Sequence, residues 1–195
     1  MPLPLLPNPL LKPHTGINGG PCPPYIILAS WCEMKPKNQN SCTKGRVHAV
    51  SVSDRKGVVK HNVPEARLVV EHGLEGDAHA EGGIRQVSLL SLASINKMVE
   101  AGAQVKPGDF AENLTVEGLE VMTLPVGTRL KVGAVDLEIT QIGKTCHKGC
   151  AIRELVGDCV MPREGVFARV LTEGVVKVGD AIEVTDVPGG DSDGQ

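Results

Sequence analysis

Cys146 and Cys150 frame the run Cys146-His147-Lys148-Gly149-Cys150, and Cys159 follows within the same stretch. Lys144, His147, Lys148, Arg153, Arg163 and Arg169 crowd around them. A local cationic excess favours thiolate over thiol, and thiolate is polarizable and nucleophilic. Chemistry at sulfur is therefore the leading reading of this stretch. If a helix opens over Lys148–Leu155, the Cys150 thiol sits in its first turn, where the dipole lowers thiol pKa, and it could resolve a Cys146 persulfide as a disulfide. A zinc or iron site from Cys146, His147, Cys150 and Cys159 has enough soft ligands but lacks the usual paired CxxC spacing. A buried structural cysteine is the ordinary alternative for each of the three thiols, Cys159 above all.

Asp77 and His79 form a second candidate group, two positions apart on the glycine-punctuated loop Gly73–Gly83. An imidazole that titrates near neutrality could shuttle a proton or orient a substrate. The same pair could equally be loop-stabilising hydrogen-bond partners.

These residues need a scaffold, and the composition points to one made of strands. The chain has 195 residues, 41% of them hydrophobic, enough for one core and not two. Four residues are aromatic, while glycine and branched aliphatics are abundant. A sheet or barrel packed with Val, Leu and Ile is expected, without the aromatic platforms of single-stranded nucleic-acid binding. A net charge of −3 gives no general attraction to nucleic acid or an anionic membrane. Cysteines 22, 32, 42, 146, 150 and 159 are clustered rather than evenly spaced, which reads as reduced thiols in a cytoplasmic protein.

Alternation and glycine punctuation predict strands over 46–53, 66–71, 85–91, 119–123, 128–132, 135–142, 166–171, 175–178 and 181–185, with turns at glycines 118, 127, 133, 174 and 179. A helix is expected from the natural N-cap Ser91 to about Ala101, closed by Gly102. Short strands this close together suggest a barrel or sandwich. Cys146 then follows directly on the strand that ends at Ile142. Residues 1–44 carry nine prolines between Pro2 and Pro36 and read as an extended or disordered Pro-rich extension. Their apolar run Tyr25–Trp31 is too short to cross a bilayer. Residues 187–195 read as a flexible tail.

Six blocks occur in order: His72-Gly73-Leu74-Glu75-Gly76-Asp77-Ala78-His79, Arg85–Leu90, Pro107-Gly108-Asp109-Phe110-Ala111-Glu112-Asn113-Leu114-Thr115, Gly127–Gly133, the strand Leu137–Ile142 leading to Cys146, and Arg163–Leu171. Over residues 45–186 the chain thus resembles a MOSC domain, the family named for the C-terminal domain of molybdenum cofactor sulfurase. The resemblance implies a mainly β, barrel-like fold with a few short helices, and a cysteine, here Cys146, that carries sulfur or contacts molybdenum. It implies the molybdenum cofactor, a phosphate-bearing pterin with a dithiolene, as the bound group. Arg85, Lys144, His147, Arg163 and Arg169 are then candidates for contacting that cofactor, with arginine offering a bidentate fork to its phosphate, and Asn113 for the pterin ring. The expected partners are the cofactor or its precursor and a sulfur-donor protein or molybdoenzyme acceptor. A non-catalytic cofactor carrier and a molybdenum-dependent reductase of N-hydroxylated compounds are the alternatives.

Overall fold

Leu130, Val132, Val135, Leu137 and Ile139 alternate with charged or polar neighbours, and in the computed structural model these five are fully buried. The model describes residues 43–145 and 159–189, all within one compact unit. Cys146, His147, Cys150, the expected helix over 148–155 and residues 1–42 of the expected Pro-rich extension lie outside the described residues, while Lys44 already belongs to a strand.

Eleven strands are formed among the described residues: β1 Lys44–Val52, β2 His61–Val63, β3 Glu65–Val69, β4 Gly73–Leu74, β5 Val87–Ser91, β6 Leu114–Glu117, β7 Arg129–Val132, β8 Val135–Ile142, β9 Val166–Val170, β10 Gly174–Lys177 and β11 Ala181–Asp186. Two helices accompany them, α1 Leu92–Glu100 and α2 Met161–Glu164. Strands β1, β11, β7, β8, β9, β5 and β6 close a seven-stranded barrel, with β2 paired to β1. Strands β10, β3 and β4 form a separate small sheet. The chain is mainly β and barrel-like, as its resemblance implies.

All neighbours in the barrel are antiparallel except β5 and β6, which run parallel. Parallel neighbours cannot be joined by a tight turn, and the crossover between them carries α1. One core cluster fills the barrel, with Val50, Leu89, Leu114, Leu137, Ile139 and Ile182 among its members. A second cluster includes Leu90, Phe110, Cys159, Met161 and Phe167. Strand β5 serves both, which is why Val87–Ser91 is buried throughout instead of alternating. Each fully buried aliphatic side chain contributes about 1.5–3 kcal/mol.

Two expectations need correction. Leu119–Thr123 does not form a strand: Val121–Thr123 is a single 3-10 turn. Gly118, at φ 80°, turns the chain, and the Ser91 hydroxyl accepts the Val121 N–H at 3.3 Å. Ser91 does precede α1 in extended geometry, but its side chain makes no cap hydrogen bond. Its hydroxyl instead donates to the Leu119 carbonyl at 3.2 Å, which ties the helix start to the 3-10 turn. Gly102, at φ 94°, closes the helix as expected.

Candidate functional site

The loop after β4 folds back on the barrel, with Ala78 N–H donating to Ser53 O at 2.7 Å. This brings Asp77 against residues from two other segments, Lys60 and Asn113. Lys60, immediately before β2, is fixed by its own N–H, which donates to Gly108 O at 2.9 Å. A side chain at Gly108 would bring its Cβ within 2.6 Å of Lys60 O, so this turn needs glycine. Asn113, immediately before β6, donates its N–H to Ser88 O at 2.8 Å, and its own carbonyl accepts the Ser51 N–H at 2.8 Å.

The side chains of Lys60 and Asp77 are each only 1% exposed, and Lys60 Nζ donates to Asp77 Oδ2. Asn113 Nδ2 donates to the same oxygen at 2.7 Å. Asp77 Oδ1 accepts the main-chain N–H of His79 at 2.7 Å and faces His79 Nδ1 at 3.2 Å. Burial alone would raise the Asp77 carboxyl, but hydrogen bonds from His79 and Lys60 and the lysine charge outweigh it. The group is held well below its ordinary value of 3.8. Lys60 is pushed down by burial against the pull of Asp77 and Glu112, with Lys144 adding a smaller push in the same direction as burial.

Beside this network lies a cavity of about 170 Å³, lined by Lys60, His79, Glu81, Arg85, Ser88, Ala111, Asn113, Lys144, Met161 and Phe167. Its cationic side is built by a bulge in β8 between Ile139 and Gln141. Gln141 accepts from Arg85 Nε at 2.9 Å and donates to Gly143 O at 2.6 Å. Gly143, at φ 66°, turns the chain so that its N–H meets Gly165 O and the Lys144 N–H meets Pro162 O. Arg85 and Lys144 then lie over the Phe167 ring, 5.5 and 5.8 Å from its centre. Neither has a carboxylate partner among the described residues. Glu81, the acid on the lining, is paired with Lys56 at 3.0 Å.

Of the residues singled out in the sequence, Asp77, His79, Arg85, Asn113 and Lys144 come together here. Asn113 is saturated within the protein: Oδ1 accepts from the Ser88 N–H and hydroxyl, and Nδ2 donates to Ser51 O and Asp77. Its amide holds Asp77 and has no capacity left for a pterin ring. Arg169 is exposed on β9 and pairs with Glu138 at 2.9 Å, and Arg163 is exposed on α2; neither lines the cavity. Cys159 is 5% exposed within the second core cluster, which is the packing alternative. Among the described residues no group of three or more His, Cys, Asp or Glu could hold a metal ion. No helix among them is long and apolar enough to cross a membrane.

Sequence reasoning missed Lys60, whose lone charge after Val58 and Val59 reads as a solvated side chain. It also missed the role of Phe167 as a floor for two cations, and it missed Glu112. That carboxyl is fully buried, with Oε1 accepting from Gly108 N–H at 2.7 Å and from the Thr115 hydroxyl at 2.9 Å. Its Oε2 has no hydrogen-bond partner among the described residues, and burial raises its pKa above the ordinary 4.5. The available signal was the acid itself, enclosed by Phe110, Ala111 and Leu114.

The class these features define is a small closed β-barrel with a cationic, histidine-bearing cavity at its wall. Residues 76–183 match the family model described as MOSC domain, and the chain belongs to that family. Among solved structures, the YuaD protein of Bacillus subtilis is similar at 19% identity over 72% of this chain and 95% of that one, with a TM-score of 0.61. YiiM from Geobacillus stearothermophilus is 19% identical over 73% of this chain and 75% of that one, with a TM-score of 0.58. YiiM from Escherichia coli is 21% identical over 73% and 70%, with a TM-score of 0.55. At these identities the likeness is one of fold. No curated protein sequence matches the chain.

Proposed function

We propose that this protein binds the molybdenum cofactor, with the anionic end of that group in the cavity and Cys146 acting on it as a sulfur carrier or metal ligand. The observation that carries this reading is the pair Arg85 and Lys144, held over Phe167 without a carboxylate partner among the described residues. Two such cations suit a phosphate or another multiply charged oxyanion. Ligand pockets for molecules of cofactor size are typically about 300–1,000 Å³. The cavity of about 170 Å³ therefore fits one end of such a group, leaving the remainder at its mouth.

Cys146 follows Lys144 by two positions, so chain connectivity keeps its Cα within about 7 Å of the Lys144 Cα. Bound cofactor would supply a redox-active metal and dithiolene sulfurs. For the protein's part, a Cys146 thiolate attacks the outer sulfur of a donor persulfide. The donor S–S bond breaks, its cysteine leaves as thiolate, and a new S–S bond forms on Cys146 Sγ. No net oxidant or reductant is consumed.

A second reading, reduction of N-hydroxylated compounds with retained cofactor, is favoured by the Asp77–His79 pair. Such a reaction needs protons at the cavity, and sulfur carriage alone does not. Purification from a molybdate-replete host, followed by assays for molybdenum, pterin and labile persulfide, separates the readings. Persulfide without metal that disappears in Cys146→Ala supports the carrier. Stoichiometric, tightly held molybdenum supports the reductase. Neither molybdenum, pterin nor persulfide, in the unmodified protein, overturns both. Reversible cofactor binding that survives Cys146→Ala identifies a non-catalytic carrier.

A further inference from the structure

A buried ammonium group is costly, and Lys60 spends one on a single carboxylate instead of on the cavity contents. The two oxygens of Asp77 are thereby divided. Oδ2 is taken by Lys60 Nζ and Asn113 Nδ2, and Oδ1 is left for His79. A carboxylate held at both oxygens cannot rotate, so it presents one fixed acceptor to the imidazole. Nδ1 is then the proton-bearing nitrogen of the neutral ring. Nε2, which has no hydrogen-bond partner among the described residues, is the acceptor on this cavity-lining side chain.

We propose that Lys60 is a positioning residue for His79, acting through Asp77: it locks the carboxylate that selects the Nδ1–H form of the ring, and it carries the charge that balances that carboxylate. The proposal rests on His79 being the proton-handling group of the cavity, and is indifferent to what fills that cavity. The charged groups facing His79 support this assignment. On its own loop these are Asp77 and Glu81, the latter paired with Lys56 at 3.0 Å. From the segment before β2 comes Lys60, while Arg85 and Lys144 share the cavity wall. Lys60 is the cation in contact with the carboxylate that touches the ring, so its removal leaves that carboxylate to act on His79 alone. An uncompensated carboxylate at hydrogen-bond distance favours imidazolium.

The test is the titration of His79 in the full-length chain by NMR, with labelled histidine and His79→Gln to assign the signal. In Lys60→Met the midpoint should move to higher pH by about one unit or more. An unchanged or lowered midpoint in the folded variant overturns the proposal. Should Lys60→Met fail to fold, the unmodified protein still decides. Its Lys60 nitrogen must show an ammonium signal throughout the His79 titration, and neutral His79 must carry its proton on Nδ1. A neutral Lys60 amine, or a ring protonated on Nε2, overturns the proposal. None of these readouts needs bound cofactor, so failure to find molybdenum or persulfide leaves them intact, and their failure leaves the cofactor reading intact.

Discussion

Asp77 and Glu112 are two buried acids that meet burial in opposite ways. Asp77 is ionised because Lys60, Asn113 and His79 supply partners to both of its oxygens. Asp77→Asn leaves the Lys60 ammonium buried without its counter-charge. Loss of about 3–5 kcal/mol of stability is expected, measured by denaturant unfolding. Lys60→Met in the same chain should recover part of that loss, because the stranded charge is then gone. Glu112 has one partnered and one unpartnered oxygen, and burial shifts its titration upward from 4.5. Its folded form keeps a proton that the unfolded chain releases above 4.5, so this residue's contribution to stability falls as pH rises through the interval from there to its raised folded value. Glu112→Gln has no such proton to release. Stability profiles should therefore decline less steeply in the variant as pH rises above 4.5, and parallel profiles would refute the assignment. From the sequence, Asp77 and His79 were legible as a pair because they are close along the chain. Lys60 was not, because nothing in a one-dimensional pattern says which lysine is turned inward by a turn nearly fifty residues away.

Among the elements, β8 and its exit do most to arrange the cationic wall. The alternation over Val135–Ile142 was plain in the sequence, but the bulge before Gln141 was not, and that bulge places the amide which holds Arg85. Gly143 then turns the chain at a φ of 66°, and a Cβ there would lie 2.5 Å from Pro162 O. Gly143→Ala should cost about 1–3 kcal/mol in denaturant unfolding and displace Lys144 from Phe167. Weaker binding of inorganic phosphate at low ionic strength would report that displacement. Unchanged stability would mean that the turn relaxes without cost. Leu119–Thr123 has strand-like composition, yet it must reverse between β6 and β7, and Gly118 and the Ser91 hydroxyl turn it into a 3-10 segment. Strands β2 and β4 span only His61–Val63 and Gly73–Leu74, too few residues to show a period.

At the scale of the molecule, period-two alternation and regular glycine turns announced a strand-rich fold with one core. They could not announce the order in which β11, β7, β8, β9, β5, β6 and β1 meet, because register along a strand carries no label for its neighbour. The parallel contact of β5 with β6 in particular depends on the crossover that carries α1. The division of β5 between two cores was equally hidden, since a strand buried on both faces looks the same as any short apolar run.

The barrel's ring is completed where β1 meets β11, through just three facing residue pairs: Lys44 with Glu183, Gly45 with Ile182 and Arg46 with Ala181. The contacts of β5 with β6 and with β9 also run over three facing pairs, and the β1–β11 seam is reinforced on the outside by the exposed Lys44–Glu183 ion pair at 2.9 Å. Residues 44–46 and 181–184 are mostly exposed or half-buried while β5 and β9 are almost wholly buried, so amides of the former should acquire deuterium earlier, a ranking that hydrogen-exchange mass spectrometry can read directly. Any tug on the chain upstream of Thr43 would load this same seam first, because β1 enters the barrel there.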